Sequence, residues 1–174
     1  MALEDIGSLL IRVTVAWLFL GGAWASGKDA TARKFVVADT ALVFAWRPEL
    51  FAFAGIFMAG AGGLSVLLGI FPRLGGLALM IFLVPAAMIH LAKRRQAIAL
   101  KETILHGLTG KTSSSVRDDL DALGDSAALG HYTAALKNLC LIGPTAYLVL
   151  AGARPPILIG FGSDWQLHGL LTQF

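Results

Sequence analysis

A single cysteine, Cys140, stands in the 174 residues. Dithiol exchange of the vitamin K epoxide reductase type and thiolate-rich metal or iron–sulfur sites each need several sulfurs, so the chain cannot supply them alone. Charge is scarce too, at 14% of residues. No aspartate or glutamate falls within the core of a long apolar run, so the carboxylate relay of a proton- or sodium-coupled transporter is missing. There are four histidines, and only His90 lies in an apolar run, close to its end. A haem buried in a helical bundle generally takes two axial ligands there, so no intrinsic haem is expected. His90 and His131 flank one connection and could meet as a metal or proton-handling pair, but without a third ligand the expectation is a hydrogen-bonded structural role and no metal site. No nucleic-acid partner is expected.

What the chain has in abundance is hydrocarbon: 56% hydrophobic residues and a mean hydropathy of +0.73. A water-soluble domain of this size could not hide that much apolar surface. Between Glu49 and Ala92 two apolar stretches are joined only by Pro72-Arg73. Each is about the twenty residues that match a bilayer's hydrocarbon, where only a helix satisfies its own backbone, so this is a transmembrane hairpin. Two further runs complete the set. The expected fold is all-α, an integral membrane four-helix bundle with spans at about 6–25, 49–71, 74–92 and 133–152. Residues 1–174 form one membrane domain with no room for a large catalytic domain. The opening MALED is acidic where a signal peptide is basic, so the first run is expected to be retained as a span.

Two long connections lie on one side of this arrangement. Together with Lys137 they hold eleven basic residues, against Arg73 and Arg154 opposite, with Arg12 inside the first span. The positive-inside rule then puts the connections in the cytoplasm and both termini outside, and Trp24 and Trp46 suit the aromatic belt at that interface. Within the second connection, residues 93–108 set Ile98, Leu105 and Leu108 against Lys93, Arg94 and Lys101. This is the pattern of a helix lying on an anionic membrane surface. Gly110 to Ser115 reads as a break, and Ser115 with Asp118 as a capping box opening a short helix through Leu123. The segment is then a solvated loop with an interfacial helix, or a surface for partner docking.

Inside the membrane, Gly55, Ala59 and Gly63 recur every four residues with Gly62 among them. Such spacing admits a neighbouring backbone at close range, within the bundle or in another chain. Pro85 and Pro144 each strand the carbonyl four residues earlier, Ile81 and Cys140. Those acceptors, near the midplane, could coordinate a ligand, be repaired by water or Thr145, or simply mark packing kinks. Arg12 lies about six residues, roughly 9 Å, into its span. It either snorkels to the outer headgroups or meets an anion in the bundle.

In order along the chain, GGLSVLLGIFPRLGGLALMIFLVPAAMIH, Arg12 in LLIRVTVAWLFLGG, and LKNLCLIGPTAYLVLAG with Lys137, Asn138 and Gly143 resemble the DoxX family. The resemblance covers the four spans, with 93–132 as an insertion. It implies a four-helix membrane bundle of bacteria and archaea, in a family named for a small subunit associated with thiosulfate:quinone oxidoreductase. Related sequences often carry a glutamate ahead of the glycine pair where Ala59 stands here, so a role for that carboxylate does not carry over. The family's C-terminal pattern is only faintly echoed by Gly162, Ser163 and Asp164.

Two functional classes follow, with a third behind them. The first is a non-catalytic accessory subunit packing in a membrane redox complex of the bacterial inner membrane, with lipids and other membrane subunits or further copies of itself as partners. Its tail, 155–174, is too broken to span and would lie at the outer interface or on a partner. The second is a quinone-linked membrane oxidoreductase subunit with Arg12, His90, Asn138 and Tyr147 as polar contacts around an apolar pocket. A small-solute transporter is the third. No intrinsic cofactor is expected; a quinone or bound lipid is the candidate ligand.

Overall fold

The computed structural model describes residues 3–108 and 114–152 of the chain. These are all-helical: α1 (Leu3–Gly27), α2 (Ala30–Ala41), α3 (Pro48–Leu68), α4 (Pro72–Gly107) and α5 (Ser114–Ala151). Four of them, all but α2, are long and apolar enough to cross a membrane. Their outer faces carry large side chains such as Trp17, Phe57 and Leu150, each more than 70% exposed. In water this surface would drive association, whereas in lipid it is solvated, so the chain has the character of a multi-pass membrane protein. The tail 155–174 lies outside the described residues.

Neighbouring contacts fix the directions. Backbone at Gly27, Gly60 and Gly63 abuts Ile56, Ala23 and Leu20 respectively, so α1 and α3 are antiparallel. Gly62 lies against Gly75 and Leu79, and Gly55 against Phe82, which makes α3 and α4 antiparallel. Gly76 lies against Thr145 and Leu148, and Lys101 against Asp121 and Asp125, so α4 and α5 are antiparallel as well. The α5 helix also touches α1, closing the arrangement. Phe19, Ala59, Val66, Leu79, Leu83 and Leu148 form the dry centre. At Gly62 an added Cβ would come within 2.9 Å of Leu79 and 3.1 Å of the Gly75 carbonyl. The α3–α4 contact is therefore backbone against backbone, where dispersion replaces the hydrophobic drive that lipid removes.

Two elements differ from the sequence expectation. The first connection contains a helix, α2, whose Asp29 caps it by accepting from the Ala32 amide at 2.7 Å. Arg33 reaches back to the Gly27 carbonyl at 2.7 Å, a cation on the end of α1 where the helix dipole favours one. The period-3.6 signal of α2 is weak, and the caps are what mark it. The second difference is larger. Residues 93–107 continue α4 without interruption, and α5 runs unbroken from Ser114, so neither a separate surface-lying helix nor a short helix ending at Leu123 is present. With 36 and 38 residues these helices reach about 54 and 57 Å, well past a hydrocarbon core of roughly 30 Å. Their outer halves pair as a projecting hairpin with Ala97, Ile104, Leu120 and Ala127 along its seam. Lys101 bridges Asp125 at 2.6 Å and Asp121 at 3.0 Å. Hydrogen bonds to these carboxylates, Asp125 first, raise the Lys101 pKa above the ordinary lysine value. Arg117 donates to the Leu108 carbonyl and ties the start of α5 to the end of α4. The seam does not use the Ile98, Leu105 and Leu108 stripe of the sequence expectation; Lys101, set against that stripe, lies at the seam with Ala97 and Ile104.

Candidate functional site

Arg12 is 1% exposed, and it does not snorkel. Its Nε donates to the Val66 carbonyl at 3.0 Å and its Nη2 to the Leu67 carbonyl at 2.8 Å. These are among the last carbonyls of α3, which have no intrahelical partner, so the guanidinium closes the C-terminal end of a neighbouring helix and meets the negative pole of its dipole. Nearby, Ser65 Oγ donates to the carbonyls of Ile70 and Phe71 at 2.5 and 3.1 Å. That bracing supports a turn in which Gly69 and Phe71 both have positive φ, 76° and 46°, the latter uncommon for a bulky residue. At this end Ser8 Oγ and Arg73 Nε are shielded from solvent without a hydrogen-bond partner among the described residues.

The other end is hollow. A cavity of about 360 Å³ lies among all five helices, within the range of small-molecule sites, roughly 300–1,000 Å³. Phe19, Gly22, Gly55, Ala59, Phe82 and Pro85 contribute to its apolar wall, and Asp39, His90, Lys93, Lys137 and Asn138 to its polar side. Each helix supplies part of it for a local reason. Small residues of α3 leave room where larger ones would close the gap. The α2 helix contributes Val36, Asp39 and Thr40, and Thr40 Oγ1 is spent on the Val36 carbonyl at 2.7 Å. Asp39 is engaged by Lys93 at 2.7 Å, which fastens α2 to α4 beside the cavity.

Asn138 is the informative residue. It is only 9% exposed, lines the cavity, and its side chain has no hydrogen-bond partner among the described residues. The Nδ1 of His90 is shielded from solvent and unpartnered among the described residues. His90 stands 5.8 Å from His131 between ring centroids, tilted by 32°, so the two histidines meet. Among the described residues no group of three or more His, Cys, Asp or Glu converges as a metal site. Lys93, Lys137, His131 and Asp39 all lie within electrostatic reach of His90.

The four polar candidates of the sequence therefore separate. His90 and Asn138 share the cavity; Arg12 belongs to the opposite end of α3; Tyr147 packs against the apolar centre and does not line the cavity. Pro85 lines it, whereas Ile81 and Cys140 do not. Thr145 bonds the carbonyls of Leu141 and Ile142, at 2.9 and 3.0 Å, rather than that of Cys140. Gly55, Ala59, Gly62 and Gly63 face Phe82, the dry centre, Leu79 and Leu20 of this same chain. Sequence reasoning missed Asp39, Thr40 and Lys93 as cavity residues. The Asp29 cap was the available signal that a helix brings the first two there. No family model, curated protein or solved structure matches this chain.

Proposed function

We propose that this chain is a DoxX-like subunit of the bacterial inner membrane that holds a lipophilic molecule with a polar head in the cavity between its helices, and that it carries no electron-transfer group of its own. Asn138 carries the reading. An amide with no partner in the chain, set beside an apolar hollow, is satisfied when a ligand's head group fills the cavity. The ordered run of motifs from Arg12 to Gly143 supports the family, which brings a quinone forward as one occupant; a bound lipid is the other. The basic connections put the polar side of the cavity toward the cytoplasmic leaflet and both termini outside.

The accessory reading, in which the chain packs in a membrane redox complex, draws on a different surface than the sequence suggested. Its small-residue stripe is occupied by contacts within the chain, whereas the projecting hairpin exposes Leu100, Leu123 and Leu129, and a partner subunit docked there would cover them. Purification from native membranes followed by mass spectrometry of extracted lipophiles and co-purifying chains tests both ideas. We expect one lipophile per chain, lost in Gly22→Phe, a substitution at a cavity residue with open space around its Cβ. Equal lipophile content in the wild type and this variant would remove the cavity from the account.

A further inference from the structure

We infer that the occupant of this cavity is an amphiphile with an anionic head, a carboxylate or a phosphate, seated against Lys137 and Asn138 with its chain among Phe19, Gly55 and Phe82. The inference rests on the cavity being a lipophile site and names the class of molecule it takes. Three observations carry it. The cavity's cationic side chains are Lys93 and Lys137, and its one carboxylate, Asp39, is already held by Lys93 at 2.7 Å. Lys137 has no hydrogen-bond or ion-pair partner among the described residues. Asn138, next in sequence and also facing the cavity, offers an unspent amide N–H₂ from a site only 9% exposed.

The chemistry of that arrangement favours an acceptor with charge. An ammonium near a low-dielectric cavity gains far more from an anion than from a neutral carbonyl, and a hydrogen bond between charged partners is roughly twice as strong as a neutral one. The polar residues cluster on one side of the cavity while the remainder is hydrocarbon and aromatic ring, the division an amphiphile itself has. A volume of about 360 Å³ sits at the low end of small-molecule sites, roughly 300–1,000 Å³. It suits one chain, so a two-chain lipid would leave its second chain in the bilayer.

The test uses the full chain in phosphatidylcholine nanodiscs with cis-parinaric acid, a fluorescent fatty acid, as the probe. Palmitate, hexadecanol, decylubiquinone and phosphatidylglycerol are the competitors. We expect saturable binding that palmitate or phosphatidylglycerol displaces at least about tenfold more effectively than hexadecanol, which has the same chain length as palmitate and an uncharged head. Displacement by palmitate identifies a free fatty acid as the source and displacement by phosphatidylglycerol a membrane lipid; either sustains the inference. Lys137→Gln should erase the preference for the charged head and Lys137→Arg restore it. Lys137 is exposed, so these variants fold, and thermal melts of each verify it. If hexadecanol or decylubiquinone competes as well as palmitate, the anionic head is wrong while the cavity site stands. Absence of saturable binding by any of them overturns both.

Discussion

Arg12 on α1 and Asn138 on α5 are both polar, both buried, and placed toward opposite ends of the packed helices, yet they are treated in opposite ways. Arg12 sends two donors into the carbonyls of Val66 and Leu67, whereas Asn138 is left with its amide facing a hollow. A buried polar group with partners inside the chain is part of the architecture; one without them points to something that comes from outside. Ser8 Oγ and Arg73 Nε, near the α3–α4 turn, are also shielded and unpartnered among the described residues, so the criterion separates Arg12 from Asn138 rather than one end of the helices from the other. The separation departs from the quinone-linked alternative, in which Arg12 and Asn138 serve one pocket.

The sharpest way to break this comparison is to delete the guanidinium. Arg12→Leu leaves two α3 carbonyls unsatisfied and removes two charge-assisted bonds. It should cost about 3–5 kcal/mol in unfolding measured in detergent micelles. Lipophile binding by the fraction that remains folded should be unchanged, and a binding loss at full stability would place Arg12 in the site after all. Next in size is Gly76→Val on α4, whose Cβ would meet the Thr145 carbonyl at 3.1 Å and Leu148 at 3.2 Å. Overpacking there should cost about 1–3 kcal/mol by the same measurement. Asn138→Leu should behave in the opposite sense to Arg12→Leu. Stability should change by less than about 1 kcal/mol because the amide makes no bond within the chain, while lipophile retention falls. Should Asn138→Leu unfold the chain, the residue is a structural one and the contrast fails.

Smaller effects distinguish the two connections. Asp39→Asn removes the ion pair with Lys93 and should raise amide hydrogen exchange in α2 while leaving α4 protected, a local opening rather than global unfolding. In the hairpin, Lys101→Gln removes a bridge that lies in water and is weakened by salt, so the change should be the smallest of the set. Its pH dependence has a fixed sign. Because the folded state holds Lys101 above the ordinary lysine value, the contribution is complete below the unfolded-state pKa and disappears as pH rises through the folded one. Loss of hairpin helicity in alkaline solution, absent in Lys101→Gln, is the expected observation.

Residue order alone gave the four long apolar helices, and their limits near 6–25, 49–71, 74–92 and 133–152 fall within or close to the helices found. It also singled out His90 and Asn138, because a histidine and an asparagine in a lipid-matched run are costly enough to draw notice. The helix α2 escaped because its apolar pattern is weak and its marker is a single aspartate. The interfacial reading of 93–108 went astray for another reason. Apolar length ends near Ala92 but the helix does not, and the face turned to α5 holds Ala97, Lys101 and Ile104 rather than the expected stripe.

What the sequence by itself determined is the solvent of this protein and the number of its long apolar helices, since hydrophobic length and the helix's need to bond its own backbone are local properties. What only the tertiary structure decided is which polar groups are satisfied. Arg12 finds its acceptors 54 and 55 residues away, Lys93 reaches Asp39 across 54, and Asn138 finds none among the described residues. Pairing over such distances depends on how helices sit against one another. No window of sequence contains that.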